Sequence, residues 1–137
     1  MTTVILLAED SADDQWFFRR TLNHVAPGTR LIIVCDGDEL LCYLNGEGIY
    51  ADRNNYPIPS LLMLDLKLPK VNGLQILELI KDNPSWKEMR IAILSGTTDP
   101  EDQRRVQQLG GGRIIRKPVS TGELHREVAP LPDSNRG

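Results

Sequence analysis

Five short apolar runs punctuate the chain, and between most of them apolar residues recur at helical spacing. Val4–Ala8 is continuous and β-prone, as a strand covered on both faces must be. Residues 11–25 read as a helix: Ser11 can cap it, Asp13 and Asp14 sit where the helix dipole favours anions, and Trp16, Phe17, Thr21, Leu22 and Val25 fall near helical spacing. Pro27-Gly28 ends it, and residues 31–35 form a second strand. Asp36 and Glu39, three apart, suggest a capping box for a helix that carries Leu40, Leu41, Tyr43 and Leu44 and stops near Asn45-Gly46. Residues 48–59 read as a polar surface connection with two prolines.

The alternation continues. Leu61–Asp65 is an apolar strand ending in a carboxylate, and residues 73–82 form a helix with Leu74, Ile76, Leu77 and Ile80 facing inward. Residues 91–94 are a fourth strand. Asp99-Pro100 opens a helix that the run Gly110-Gly111-Gly112 closes, and Arg113–Arg116 is the fifth strand. Ser120 and Glu123 suggest a capping box for a last helix, which Pro130 and Pro132 cut short. Five strands alternating with five helices imply an α/β fold, a parallel sheet with helices on both faces. Residues 1–130 read as one domain and residues 131–137 as a disordered tail.

Composition narrows the functional classes. With 137 residues, 40% hydrophobic and 26% charged, the chain has material for one soluble globular domain. A net charge of −3 argues against a nucleic-acid partner. Cys35 and Cys42 lack metal-ligand spacing and read as reduced, buried thiols, consistent with a cytoplasmic protein. The first apolar run is too short for a signal peptide or a membrane span, so no membrane partner is expected.

In an open parallel sheet, ligands bind at the carboxyl ends of the strands. Those ends here carry Glu9-Asp10, Asp65, Ser95-Gly96-Thr97 and Lys117-Pro118. Three carboxylates gathered at one edge repel and call for a cation. An oxygen-only donor set with no His or Cys suits Mg²⁺ better than zinc or a softer metal. His24 and His125 fall in helices away from these ends and read as surface or packing residues, and Trp86 as a packing anchor.

Four segments together resemble the receiver domain of two-component response regulators: Ile5-Leu6-Leu7-Ala8-Glu9-Asp10-Ser11, the run from Leu62 through Asp65, Pro69 and Asn72 to Gly73, Ile93-Leu94-Ser95-Gly96 and Arg116-Lys117-Pro118. The resemblance covers about residues 3 to 129, and the long loop before the third strand is most similar to single-domain regulators that partner phytochrome-type sensor kinases. It implies a flavodoxin-like five-stranded sheet in the order 2-1-3-4-5. It also implies that Asp65 is the phosphoacceptor, that Asp10, Asp65 and the Lys67 backbone carbonyl are Mg²⁺ ligands with Glu9 acting through the metal's water, that Ser95 donates to the phosphoryl group, and that Lys117 pairs with it. The implied partners are a sensor histidine kinase or a histidine phosphotransfer protein, plus an unknown downstream protein reached by protein–protein contact. Enzymatic activity on other molecules is not expected; the chain would catalyse only its own phosphorylation and slow dephosphorylation.

Two positions depart from the family pattern. Where many receivers carry an aromatic residue three before the lysine, this chain has Ile114, so signalling is expected to depend more on the loop from Ser95 to Asp99. The short last helix weakens the surface through which many receivers dimerise, so a monomer or weak homodimer is expected. Arg104, Arg105, Arg113, Arg116 and Arg126 fall on or near that surface and read equally as a solvated charged face. Two other readings stay open: a degenerate receiver serving as a phosphorylation-independent scaffold, and an aspartyl-phosphate phosphohydrolase. The latter often carries a second Asp two residues after the nucleophile, where this chain has Lys67.

Overall fold

The computed structural model describes residues 3–96 and 99–131. Its strands are β1 Val4–Ala8, β2 Arg30–Val34, β3 Leu61–Asp65, β4 Arg90–Ser95 and β5 Arg113–Arg116. Its helices are α1 Ala12–Val25, α2 Gly37–Asn45, α3 Gly73–Lys81, α4 Pro100–Gln108 and α5 Thr121–Val128. All strand pairs are parallel and the order is β2-β1-β3-β4-β5, as the resemblance implies.

Side-chain alternation along the strands divides the interior in two. Leu6, Ala8, Leu62, Leu64 and Ile93 enter one core with Leu40, Tyr43, Ile76, Leu77 and Val106 of α2, α3 and α4. Ile5, Leu7, Leu61, Met63, Ala92, Leu94 and Ile115 enter the other with Phe18, Leu22 and Leu124 of α1 and α5. Trp86 is buried in the first core, as an anchor should be. The two covered faces explain why β1 and β3 are apolar at almost every position: neither strand has a wet side.

Several local expectations change. Trp16 and Phe17 are exposed, and the buried stripe of α1 is Phe18 and Leu22, four apart. The Trp16 and Phe17 rings meet edge to face at 5.1 Å, and Arg20 lies over Trp16. Cys35 is exposed and not buried, because β2 ends at Val34 on an open edge of the sheet and leaves Cys35 in the loop. Leu131 is buried in the second core and belongs to the packed domain, not to a tail; residues 132–137 lie outside the described residues. Neither suggested capping box closes reciprocally. Asp36 and Ser120 cap their helices, but the Glu39 carboxylate accepts from the Cys35 N–H, and Glu123 accepts from the Ser120 hydroxyl. The reciprocal box is instead Asn72 with Gln75, at the start of α3.

The connection between α2 and β3 is more than a surface loop. It contains a 3-10 turn, Gly48–Ala51, and Arg53 donates to the carbonyls of Tyr43 and Leu44 at the end of α2 and of Tyr56. The Tyr43, Tyr50 and Tyr56 rings pack mutually, with the Tyr43 hydroxyl donating to the Pro57 carbonyl. Orphan carbonyls at a helix end are costly when covered, and Arg53 satisfies them.

Gly112, between α4 and β5, has φ +70°, and a Cβ there would lie 2.3 Å from the Ile91 carbonyl oxygen. Both the backbone and the space exclude a side chain. Gly112→Ala is therefore expected to destabilise the protein by about 2–4 kcal/mol in a denaturant titration. Gly122→Ala, in α5 with nothing near its Cβ position, is expected to be neutral or to stabilise by up to about 1 kcal/mol. Equal effects would show that the close approach of β5 to Ile91 does not constrain the fold.

Candidate functional site

Each candidate side chain reaches the same edge because its strand stops there. Glu9 and Asp10 follow β1, Asp65 is the last residue of β3, Ser95 the last of β4, and Lys117 follows β5. The registers bring them level: Asp65 pairs with Leu94, one residue before Ser95, and Ser95 pairs with Arg116, one residue before Lys117. The Lys117 N–H donates to the Ser95 carbonyl at 2.8 Å, and the Lys117–Pro118 peptide is cis. Thr97, the last residue of the expected fourth strand end, lies outside the described residues, as does Thr98 of the loop to Asp99.

The Lys117 ammonium is the centre of the arrangement. Nζ lies 2.9 Å from Glu9 Oε1, 2.9 Å from Asp65 Oδ2 and 2.9 Å from Asp14 Oδ2. Asp65 is buried, and its other oxygen, Oδ1, accepts from the Lys67 backbone N–H at 2.9 Å. Glu9 is 1% exposed, and its Oε2 accepts from the Ser11 N–H at 3.1 Å. Its backbone carbonyl is held by Gln15 of α1 at 2.7 Å. Ser95 is buried beside Asp65. Phe17 lines the same crevice as Glu9, Asp14, Lys117 and Pro118.

Asp14 is the member that sequence reasoning missed. A carboxylate in a first turn already has a sufficient local explanation in the helix dipole, which hides a second role. The available signal was one of position: Ser11 caps α1 through the Asp14 N–H, so the helix begins directly above the Glu9 strand end and its third residue faces that edge.

The electrostatics follow from burial. Burial pushes the Glu9 carboxyl up to about 7; the hydrogen bonds from Lys117 and from the Ser11 N–H hold it down, and the Asp65 carboxylate adds to the rise. Burial works against the Lys117 ammonium, yet its bonds to Asp65, Asp14 and Glu9 outweigh that, and its pKa lies above the ordinary lysine value. Carboxylate oxygens of Glu9, Asp10 and Asp65 all lie within 4.8 Å of one another, with Asp10 exposed. Three clustered carboxylates without an imidazole or thiol form a donor set for a hard divalent cation.

Other sequence candidates lie elsewhere. His24 and His125 are exposed on α1 and α5. Ile114 is half-buried against the α2–α4 core, with Ile93 as its register partner. Arg104, Arg105, Arg113, Arg116 and Arg126 are exposed. A cavity of about 440 Å³, lined by Leu77, Trp86, Met89 and Leu109 among others, opens near the start of β4, at the opposite end of the sheet from the acidic cluster. Among the described residues, no helix is long and apolar enough to cross a membrane.

Comparison with known proteins agrees with this geometry. The family described as "Response regulator receiver domain" matches residues 5–129. The response regulator Rcp1 of Synechocystis sp. is 36% identical over 99 residues, 72% of this chain and 65% of Rcp1, so the chain spans less than two thirds of that relative. A solved Mn²⁺-bound form of response regulator Rcp1 superposes with a TM-score of 0.79 at 30% identity, covering 95% of this chain and 99% of that one. The bacteriophytochrome response regulator AtBRR gives a TM-score of 0.83 at 30% identity, with 96% and 93% covered. The phosphorylated cyanobacterial phytochrome response regulator RcpA gives 0.79 at 30% identity, with 93% and 89% covered.

Because native Glu9 holds its proton more tightly than the unfolded chain does, its contribution to metal-free stability is complete below pH 4.5 and is lost as pH rises towards 7. In chelator, wild type is expected to lose stability relative to Glu9→Gln across that window, by on the order of 2 kcal/mol. Urea unfolding of both proteins at several pH values checks this; a constant difference between them would show that Glu9 titrates as an ordinary surface carboxyl.

Proposed function

The chain belongs to the response regulator receiver domain family, and from that premise we propose that it is a phosphorylation-driven switch of two-component signalling in which Asp65 accepts the phosphoryl group. The observation that carries the reading is the buried Asp65 carboxylate, held on one oxygen by Lys117 and on the other by the Lys67 N–H, within reach of Glu9 and Asp10.

The chemistry needs positioning and charge balance more than covalent help from the protein. Asp65 attacks the phosphorus of a phosphohistidine on a sensor histidine kinase or histidine phosphotransfer protein; the P–N bond breaks and the imidazole departs. Lys117 gives an N–H to the transferred group, and Ser95 supplies a hydroxyl donor beside it. Asp10, Asp65 and the Lys67 carbonyl would hold a divalent cation, with Glu9 contributing charge behind them; Mg²⁺ suits these oxygens and would offset the phosphoryl charge. Reversal is attack of water on the acyl phosphate. This reading takes the reset to be slow and expects no turnover of other molecules, because Lys67 stands where an aspartyl-phosphate phosphohydrolase often carries a second Asp.

The added charge of about −1.5 to −2 reorganises the surrounding loops, and the signal passes by protein–protein contact in the cytoplasm. The Ile114 position favours one second reading, a scaffold that works without phosphorylation, because an isoleucine offers no ring to swing.

Incubation with Mg²⁺ and acetyl phosphate is expected to add one phosphoryl group to the intact mass. The gain disappears in Asp65→Asn and in the presence of a chelator. Absence of any gain in the wild type would leave the scaffold.

A further inference from the structure

An ammonium has three N–H donors, and Lys117 directs all three at carboxylates: Glu9, Asp65 and Asp14. The first two belong to the strand-end cluster. Asp14 stands on α1, outside the residue set that the family resemblance implies. Its side chain is 35% exposed, whereas those of Glu9 and Asp65 are 1% and 5% exposed.

We propose that Asp14 is a positioning residue that draws the Lys117 ammonium towards α1 and so slows phosphoryl transfer to Asp65. The inference rests on the function proposed above. In that reaction one Asp65 oxygen bonds to phosphorus as the bond from phosphorus to the leaving group breaks. With acetyl phosphate the leaving group departs as acetate, and no proton need move. Negative charge spreads over the phosphoryl oxygens as the group passes, and Lys117 is the side chain placed to meet it.

Charge that Lys117 shares with Asp14 is withheld from those oxygens. Asp14 is also the acceptor from which Lys117 is released at least cost. Water can take the place of the ammonium on a carboxylate one-third exposed, but not on the buried Glu9. Asp13 provides an internal control. It carries the same charge one residue away, it is exposed, and it is not among the three acceptors on Lys117.

The test compares the full chain with Asp14→Asn, Asp14→Glu and Asp13→Asn. Two quantities are read: the rate of phosphoryl gain by intact mass with Mg²⁺ and acetyl phosphate, and the affinity for beryllofluoride with Mg²⁺. Asp14→Asn is expected to be phosphorylated about threefold to tenfold faster and to bind beryllofluoride more tightly by a similar factor. Asp14→Glu should stay near wild type, and Asp13→Asn within about twofold of it. Loss of a merely structural contact would slow the reaction or leave it unchanged. An Asp14→Asn rate at or below wild type therefore overturns the inference while leaving the proposed function intact, and so does an equal gain in Asp13→Asn. If neither wild type nor any variant gains a phosphoryl group, both fall together.

Discussion

One ammonium holds the functional edge of this protein together. Lys117 bonds carboxylates that arrive from β1, β3 and α1, and its own backbone N–H is tied to the end of β4. Three carboxylates, Glu9, Asp14 and Asp65, meet a single positive side chain there, and a fourth, Asp10, lies beside Glu9 and Asp65. A buried ion cluster of this kind adds little net stability, since desolvation offsets most of the attraction. Its value is geometric: it fixes the relative positions of four chain segments at the point where the sheet alone would leave loose strand ends. The residual negative charge also explains why the edge is suited to receive a cation.

The scaffold supports that arrangement from below. The strands run parallel, so all five carboxyl ends lie on one side, and two apolar cores clamp the sheet from both faces. Gly73 and Gly37 carry the neighbouring loop. A Cβ at Gly73 would lie 2.7 Å from Leu66 Cα, and one at Gly37 would lie 2.2 Å from the Val71 oxygen. The segment after Asp65 therefore packs directly on the start of α2, where Lys70, at φ +69°, pairs with Asp36 at 3.3 Å. The bonds from the Glu39 N–H and from Lys70 hold the Asp36 carboxyl below its usual value. Rigidity around Asp65 thus comes from close backbone contact as well as from the ion cluster.

The central features were legible in the sequence for a simple reason. A strand covered on both faces must be apolar throughout, so the polar residue that ends it stands out: Glu9 after Ala8, Asp65 after Leu64, Ser95 after Leu94. What the sequence hid has local explanations that compete with the true ones. Asp14 looked like a dipole-compensating acid. Trp16 and Phe17 share the helical spacing of Leu22, but helical periodicity admits more than one stripe, and the sheet selected Phe18 with Leu22. Cys35 looked buried because nothing in the second apolar run says that it lies on an open edge. Asn72 and Gln75 were overlooked because the asparagine also fits a turn.

The same geometry constrains how a charge placed on Asp65 could be felt elsewhere. Ile114 is packed against the α2–α4 core beside Ile93 and has no polar group to follow a moving hydroxyl. The route that does not depend on it runs through Lys117. Its side chain touches Asp65, its amide holds the Ser95 carbonyl, and its third carboxylate lies on α1. Any redistribution of the ammonium between Asp65 and Asp14 must therefore act on the end of β4 and on the first turn of α1 together. Phe17, half exposed in the crevice beside Asp14 and Lys117, sits on the next turn of α1, three residues after Asp14. On the proposed function, a change of charge at Asp65 would reach that aromatic surface through Lys117 and Asp14, with no ring having to swing inside the core.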